Sequence, residues 1–388
     1  MDLFVVILFT LVLFGFIARY ISQTNEIIRQ EYLWLLAIVH IGLSVTYSVY
    51  ALSSASDSRK YFKVSSQTEN WMDLFDTGTS FISFLAWPFT RMLGMSYYPA
   101  MICFSFLGLI GIVLLYLAAK EHVSRQKNDG KLIGFMELLF LLPNMHFWTS
   151  SIGKGSMIIF GIGIFFWGLS RFNKRPHFII LGALLVYFVR PHIMLAILLA
   201  IIVGLLFTNT GIKNFIKWSL FLLSLIIFFF ISDNVLEFAE VTDINIFDSN
   251  ELQDRALSLA RANSGIDLSS YSLPMKLFAF WCRPLFVDTN NLVGFIVSFE
   301  NLFYLYLFYL LITYSFFYWS KLNGWHRICL FVFLFCSLAL SQISGNLGIA
   351  LRQKAQIMPL LFIVIAKLYE VRNTLVNKET KTFNFSRN

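Results

Sequence analysis

The sequence predicts an all-α integral membrane protein, a polytopic bundle of about eleven transmembrane helices. Hydrophobic residues make up 57% of the 388 positions and charged residues only 13%, which is more apolar surface than a soluble fold of this length buries. The mean hydropathy is +0.70. The net charge of +8 also suits a nucleic-acid-binding protein. Because the Lys and Arg residues are scattered between apolar runs, we expect no nucleic-acid partner.

The predicted spans follow the apolar runs along the chain. They cover residues 3–21, 32–52, 97–118, 131–147, 155–170, 177–189, 191–207, 214–232, 292–319, 326–343 and 356–370. The first run lacks a basic leader and a small-residue cleavage site, so we interpret it as a retained span. Several runs are too short to cross alone. We therefore expect the helices that flank Pro143 and Pro191 to meet below the membrane surface, beside a cavity near Lys154 and Arg190.

Basic residues in the short loops predict the orientation. If the spans alternate, the groups of Lys and Arg within residues 120–131, 171–175, 213–217, 321–327 and 372–387 all lie on one side. That side is then cytoplasmic, with the N-terminus outside and the C-terminus inside. We expect one membrane domain over residues 1–371 and a cytoplasmic basic tail over residues 372–388.

Two long segments lie on the predicted outer face, at about residues 53–96 and 233–291. Each ends in an apolar stretch too short to span, which predicts a short interfacial or re-entrant helix. The four cysteines have neither a disulfide framework nor metal-ligand spacing, and no Gly-rich nucleotide loop follows a strand. We therefore expect no cofactor and no metal.

Three short segments place cations between apolar helices on the predicted outer face, where a cation is costly unless it is paired or functional. Lys154 follows a run of small residues at the start of an apolar helix, where backbone N–H groups and the helix dipole favour an anion. Arg190 separates two apolar helices, and its guanidinium can donate a fork of N–H groups to phosphate oxygens. Arg352 and Lys354 precede the last predicted span. The alternatives are snorkelling, a structural ion pair and contacts with lipid headgroups.

Four further residues are candidates for the same site. Arg283 is a fourth cation at this level, although its aromatic neighbours also suit an interfacial belt. His192 can supply a proton or hydrogen-bond a neighbour. Transfer to a sugar hydroxyl needs a base or an orienting group. Asp57 and Asp76, in the first outer segment, are the candidates for that role, with solvated loop acids as the alternative.

Several short motifs, in this order along the chain, carry a resemblance to a known family. They are Asp57-Ser58-x-x-Tyr61, Gly78-Thr79-x-Phe81, Leu142-Pro143-x-x-x-Phe147-Trp148-x-Ser150-x-x-Gly153-Lys154, Val189-Arg190-Pro191-His192 and Gly348-x-x-x-Arg352. The layout and these motifs resemble the Wzy- and EpsG-type repeat-unit polymerases of bacterial polysaccharides, with kinship to GT-C-type membrane glycosyltransferases.

The resemblance implies glycan transfer from undecaprenyl diphosphate to an acceptor glycan at the outer face of the bacterial inner membrane, as in O-antigen and surface-polysaccharide synthesis. It implies that Arg190 and Arg352 hold the diphosphate, with Lys154 beside them. The partners implied are the lipid-linked glycan, membrane lipids, and a chain-length regulator or other envelope-assembly proteins. Relatives often carry an acidic residue where this chain has Gly155, which leaves Asp57 or another acid to be tested as the base.

Other functions stay open at this point. A GT-C-type transferase that uses a polyprenyl-phosphate sugar to modify lipid A or a glycan would need an acid of the first outer segment and would add one sugar. A transporter or flippase of lipid-linked glycans would expose its intramembrane charges to both sides in turn, and the outer-face bias of the cations argues against it. A non-catalytic scaffold of an envelope assembly would make these cations dispensable.

Overall fold

The computed structural model of the protein describes residues 3–25, 27–53, 56–123, 133–206, 271–289, 292–344 and 347–385, with isolated positions between 215 and 226. Within these ranges the secondary structure is helical, without strands. The helices are α1 (Leu3–Thr24), α2 (Gln30–Ser53), α3 (Asp57–Gln67), α4 (Thr79–Trp87), α5 (Tyr97–His122), α6 (Phe135–Phe140), α7 (Pro143–Trp148), α8 (Lys154–Ser170), α9 (Pro176–Val189), α10 (Pro191–Leu206), α11 (Leu273–Cys282), α12 (Leu292–Tyr318), α13 (Gly324–Ile343) and α14 (Leu347–Phe385).

Six of the described helices are long and apolar enough to cross a membrane, namely α1, α2, α5, α12, α13 and α14. Helices α8, α9, α10 and α11 are apolar but shorter, with 10–17 residues each. The predicted all-α membrane class is therefore confirmed, whereas the count of eleven spans is not. The predicted span 214–232 and the acidic part of the second outer segment lie largely outside the described residues.

Two predicted boundaries differ from the structure. The expected single span over residues 131–147 contains two short helices, α6 and α7, because the chain turns at Leu141 and restarts at Pro143, a residue suited to the first turn of a helix. The last helix begins at Leu347, well before the predicted residue 356. Arg352 and Lys354 consequently lie inside α14 and not in a loop that precedes it.

Glycines bring α5 and α8 close together at the centre of the bundle. A Cβ at Gly111 would lie 2.5 Å from the carbonyl oxygen of Ile159, and one at Gly163 would lie 2.4 Å from the carbonyl oxygen of Gly111. Small residues allow such backbone contact between membrane helices. At Gly108 a Cβ would lie 2.0 Å from the carbonyl oxygen of Thr149, so the same packing fixes the turn between α7 and α8.

Buried polar pairs attach the two short helices α6 and α7 to their neighbours. Glu137 of α6 forms a 2.5 Å ion pair with Lys120 of α5 and accepts a hydrogen bond from Tyr116 at 3.0 Å. In α7, the Nδ1 atoms of His146 and His40 lie 3.0 Å apart. Because buried polar groups need partners, these contacts hold both short helices in a defined register.

The two ends of α5 mark the two ends of the bundle. At one end, the hydroxyl of Tyr97 hydrogen-bonds that of Ser58 at 2.6 Å. At the other end, His122 Nε2 donates to the carbonyl of Ser170 at 3.2 Å. With 26 residues, α5 separates these ends by about 39 Å at 1.5 Å per residue. We call them the Tyr97 end and the His122 end.

Candidate anion-binding site

An ion pair joins α3 to α14 at the Tyr97 end. Arg352 Nη1 donates to Asp57 Oδ2 at 2.5 Å, and the side chains are 29% and 58% exposed, respectively. Asp57 is the first residue of α3, where the helix dipole favours a carboxylate. The carboxylate thus lies on the solvent side of the pair and the guanidinium on the protein side.

A chain of hydroxyl groups fixes the start of α3. Tyr47 of α2 contacts Ser56 at 3.1 Å, Ser56 contacts Ser58 at 2.7 Å, and Ser58 contacts Tyr97 at 2.6 Å. These bonds connect α2, α3 and α5 around the residue that precedes Asp57. The position of the Asp57 carboxylate is therefore set by three helices.

Arg190 is the buried cation of the site. It follows α9, and its backbone N–H donates to the carbonyl of Val186 at 2.8 Å. The residue as a whole is only 8% exposed. The guanidinium interacts electrostatically with Arg352, which it repels, and with Tyr61 and Asp57. Its Nη1 atom is buried without a hydrogen-bond partner. Such a group is costly inside a protein unless a ligand completes its bonding.

Gly78, the residue before α4, contacts the end of α9, where Arg190 separates α9 from α10. Its N–H donates to the carbonyl of Phe188 at 2.7 Å, two residues before Arg190. The backbone of Gly78 has φ 73°, a conformation that favours glycine. Thr79 then begins α4, so this contact places α4 beside the end of α9.

Tyr61 lies between the acid and the arginines. It is 6% exposed and hydrogen-bonds Thr79. Burial raises the pKa of Tyr61 to about 12, and the nearby Asp57 acts in the same direction, while Arg190 and Arg352 oppose the rise. At neutral pH the phenol stays protonated, so Tyr61 can hydrogen-bond a ligand but is not a base.

Trp148 forms one wall of the site. The Arg352 guanidinium lies 5.1 Å from the centre of its ring, a distance typical of a cation–π contact. The ring also packs against Tyr47 and Tyr50, with centroid distances of 6.0 and 6.3 Å. An aromatic wall behind Arg352 limits the directions in which its remaining N–H groups can point.

The turn after Trp148 brings Lys154 to the same region. A Cβ at Gly153 would lie 3.7 Å from the Tyr61 ring, and Lys154 follows as the first residue of α8. A Cβ at Gly155 would lie 2.2 Å from the carbonyl oxygen of Trp148. Any side chain at this position would require the backbone to shift.

Two of the predicted cations point to a different part of the protein. Lys354 is fully buried, and its Nζ donates to the carbonyls of Trp281 and Arg283 at 3.0 and 3.1 Å and to Asn301 Oδ1 at 2.7 Å. Arg283 donates to both carboxylate oxygens of Asp288, at 2.9 and 2.7 Å. These hydrogen bonds hold the pKa of Asp288 below its ordinary value. The structure therefore gives both cations partners that do not belong to the Asp57 site.

Asp76 and His192 are the two remaining candidates from the sequence. Asp76 is exposed and accepts a hydrogen bond from the backbone N–H of Thr77 at 2.6 Å. His192 is half-buried in the first turn of α10, two residues after Arg190. Their catalytic roles stay predictions. Among the described residues, no group of His, Cys, Asp and Glu side chains is arranged to hold a metal ion.

The geometry brings together three of the residues singled out in the sequence, Asp57, Arg190 and Arg352, and adds Tyr61 to them. The signal for Tyr61 was its place in the Asp57-Ser58-x-x-Tyr61 motif, but an aromatic residue in a short helix also suits an interfacial position. Comparison with protein-family models, with curated proteins and with solved structures finds no match for this chain. The resemblance to polysaccharide polymerases accordingly rests on the layout of the chain and the short motifs.

Proposed function

We propose that this protein is a membrane glycosyltransferase that extends a surface polysaccharide or O-antigen from an undecaprenyl-diphosphate-linked oligosaccharide. The observation that carries the proposal is the buried, unpartnered Nη1 of Arg190 beside the Arg352–Asp57 ion pair. Two guanidinium groups share one carboxylate, so the site has an excess of positive charge. A diphosphate supplies both the charge and the oxygen atoms that planar N–H forks bind.

In the proposed reaction, the arginines stabilise the leaving group. The acceptor hydroxyl oxygen bonds to the anomeric carbon, the bond from that carbon to the diphosphate oxygen breaks, and its electron pair leaves with undecaprenyl diphosphate. Arg190 and Arg352 interact most strongly with the diphosphate as this charge develops. Asp57 takes the proton of the acceptor hydroxyl. Tyr61, protonated at neutral pH, donates a hydrogen bond within the site.

In this proposal the site lies at the outer face, and the basic residues of the short loops set the orientation. Lys120, Arg171 and Arg175 gather around Glu121, Glu137 and Ser170 at the His122 end. Basic residues collect on the cytoplasmic side of membrane proteins, which makes the His122 end cytoplasmic in this proposal. The Asp57 site, at the Tyr97 end, then faces outward from the bacterial inner membrane, with the N-terminus outside and the C-terminus inside.

Deletion of the gene followed by gel analysis of the surface glycan tests the function. A polymerase predicts loss of long chains with survival of single repeat units. Loss of one substituent would indicate instead a GT-C-type transferase that uses a polyprenyl-phosphate sugar. Accumulation of the lipid-linked glycan on the cytoplasmic side would indicate a flippase, and an unchanged glycan would exclude all three functions.

Complementation of the deletion then tests the site. Arg190→Ala, Arg352→Ala and Asp57→Ala are each expected to leave the strain with single repeat units only. Arg59→Ala is the matched control, because Arg59 is an exposed cation two residues after Asp57 on α3. If all three site variants restore full-length glycan at normal protein levels, the site is not where we place it.

A further inference from the structure

The exposure of the charged groups at the Asp57 site increases from the inner cation to the outer acid. Arg190 is 8% exposed. The Arg352 side chain is 29% exposed, and that of Asp57 is 58% exposed. The carboxylate therefore lies on the solvent side of the Arg352 guanidinium, where an incoming anion would arrive.

The hydrogen bonds of the arginines are incomplete in this arrangement. Asp57 accepts from Arg352 Nη1, while Arg352 Nε and Arg190 Nη1 are buried without partners. The Asp57 carboxylate thus binds only some of the N–H groups of the two arginines, and the remaining N–H groups can donate to further acceptor oxygens. A pair with side chains this exposed is weak, so a multiply charged anion can replace it.

We propose that the Asp57 carboxylate is an internal substitute for the phosphate groups of the substrate and exchanges with them. This inference rests on the proposed function. When a diphosphate binds Arg352 and Arg190, Asp57 loses its ion pair and is repelled by the new anion. The start of α3 still stabilises the released carboxylate through the helix dipole. Asp57 is then free to accept a hydrogen bond from the acceptor hydroxyl only after the diphosphate is in place.

The exchange gives the site an order of events. Before the diphosphate binds, Arg352 is paired with the Asp57 carboxylate, so this carboxylate cannot accept a proton from a hydroxyl group. After it binds, the acid and the leaving group lie side by side.

Binding of inorganic pyrophosphate to the full-length protein in neutral-lipid nanodiscs tests the exchange. Asp57→Asn removes the competing charge and is expected to bind pyrophosphate about five- to tenfold more tightly than the wild type, the effect of losing one exposed ion pair and a like-charge repulsion. Asp57→Ser serves as a second variant that keeps a small polar residue at the start of α3. Asp73→Asn is the matched control, since Asp73 is an exposed acid of the same outer segment that accepts from Asn70 at 2.8 Å.

The outcomes separate the exchange from the anion site itself. Arg190→Met is included because it removes the buried cation, and it is expected to weaken pyrophosphate binding. Unchanged or weaker binding by both Asp57 variants, together with lost binding by Arg190→Met, overturns the exchange and leaves the anion site intact. If neither the wild type nor either Asp57 variant binds pyrophosphate, both the exchange and the proposed site are overturned. If Asp73→Asn raises the affinity for pyrophosphate as much as Asp57→Asn does, the effect comes from the overall charge of the protein, and the exchange is overturned.

Discussion

Arg352 and Lys354 lie two positions apart on α14 and contact opposite parts of the protein. Arg352 donates to Asp57, whereas Lys354 donates to Trp281 and Asn301. Two residues span about 200° around an α-helix, so side chains at this spacing face away from each other. One cation therefore belongs to the candidate site and the other joins α14 to α11 and α12.

Replacement of Lys354 should destabilise the protein. Lys354→Met leaves two partly buried carbonyls and the buried Asn301 side chain without their donor, and we expect a loss of about 3 kcal/mol or more in the free energy of unfolding. Arg352→Met breaks a partly exposed ion pair and should cost less than about 1 kcal/mol. Thermal unfolding of both variants in detergent measures the difference. Equal losses would show that the two cations do not have separate roles.

Replacement of Arg190 should reduce activity without reducing stability. Arg190→Met removes a buried charge with an unpartnered Nη1, so the melting temperature should stay the same or rise. In the proposed reaction Arg190 stabilises the leaving group, so its removal should lower glycan transfer by about 100-fold or more. The two measurements are made on the same purified protein. A large drop in melting temperature would indicate that Arg190 is structural.

The sequence was sufficient for the helical class and for the main cations of the site, for identifiable reasons. Arg190 interrupts an apolar run, and such an interruption is visible without coordinates. The apolar runs do not reveal the start of α14, because Arg352, Gln353 and Lys354 interrupt the apolar pattern and Gly348 has low helix propensity. Tertiary packing overrides these signals, since Leu347, Ala350 and Leu351 are buried at the start of the helix. The same error hid the opposite orientations of Arg352 and Lys354.

Tyr61 should make stability depend on pH in the alkaline range. Its pKa is raised to about 12 in the folded protein, from 10.0, so its contribution is complete below pH 10 and is lost as the pH rises through 12. Two pKa units correspond to about 2.7 kcal/mol. The wild type should lose about this much stability relative to Tyr61→Phe between pH 10 and pH 12. Parallel pH curves for the two proteins would contradict the buried position of the phenol.

The turn between α7 and α8 offers a matched pair of glycines. A Cβ at Gly155 would lie 2.2 Å from the carbonyl oxygen of Trp148, whereas one at Gly153 would lie 3.7 Å from Tyr61, an ordinary contact. The backbone of Gly153, with φ 166° and ψ 179°, is extended and open to any residue. Helix propensity favours alanine at position 155, inside α8. Gly153 is the N-cap of α8, where glycine is preferred over alanine. At position 155 packing therefore predicts that alanine destabilises the protein, although helix propensity favours alanine there.

Gly155→Ala is expected to destabilise the protein by about 1–3 kcal/mol, the usual cost of forcing an extra carbon into a packed site. Gly153→Ala is expected to change the stability by less than about 1 kcal/mol, because the gain from restricting the unfolded chain is offset by the poorer N-cap that alanine makes. The forced shift at position 155 moves Trp148, on which the Arg352 guanidinium lies, so pyrophosphate binding should weaken in Gly155→Ala and not in Gly153→Ala. Thermal unfolding and pyrophosphate titration of both variants measure the two effects. If alanine at position 155 leaves both unchanged, the close approach of α8 to Trp148 does not shape the site.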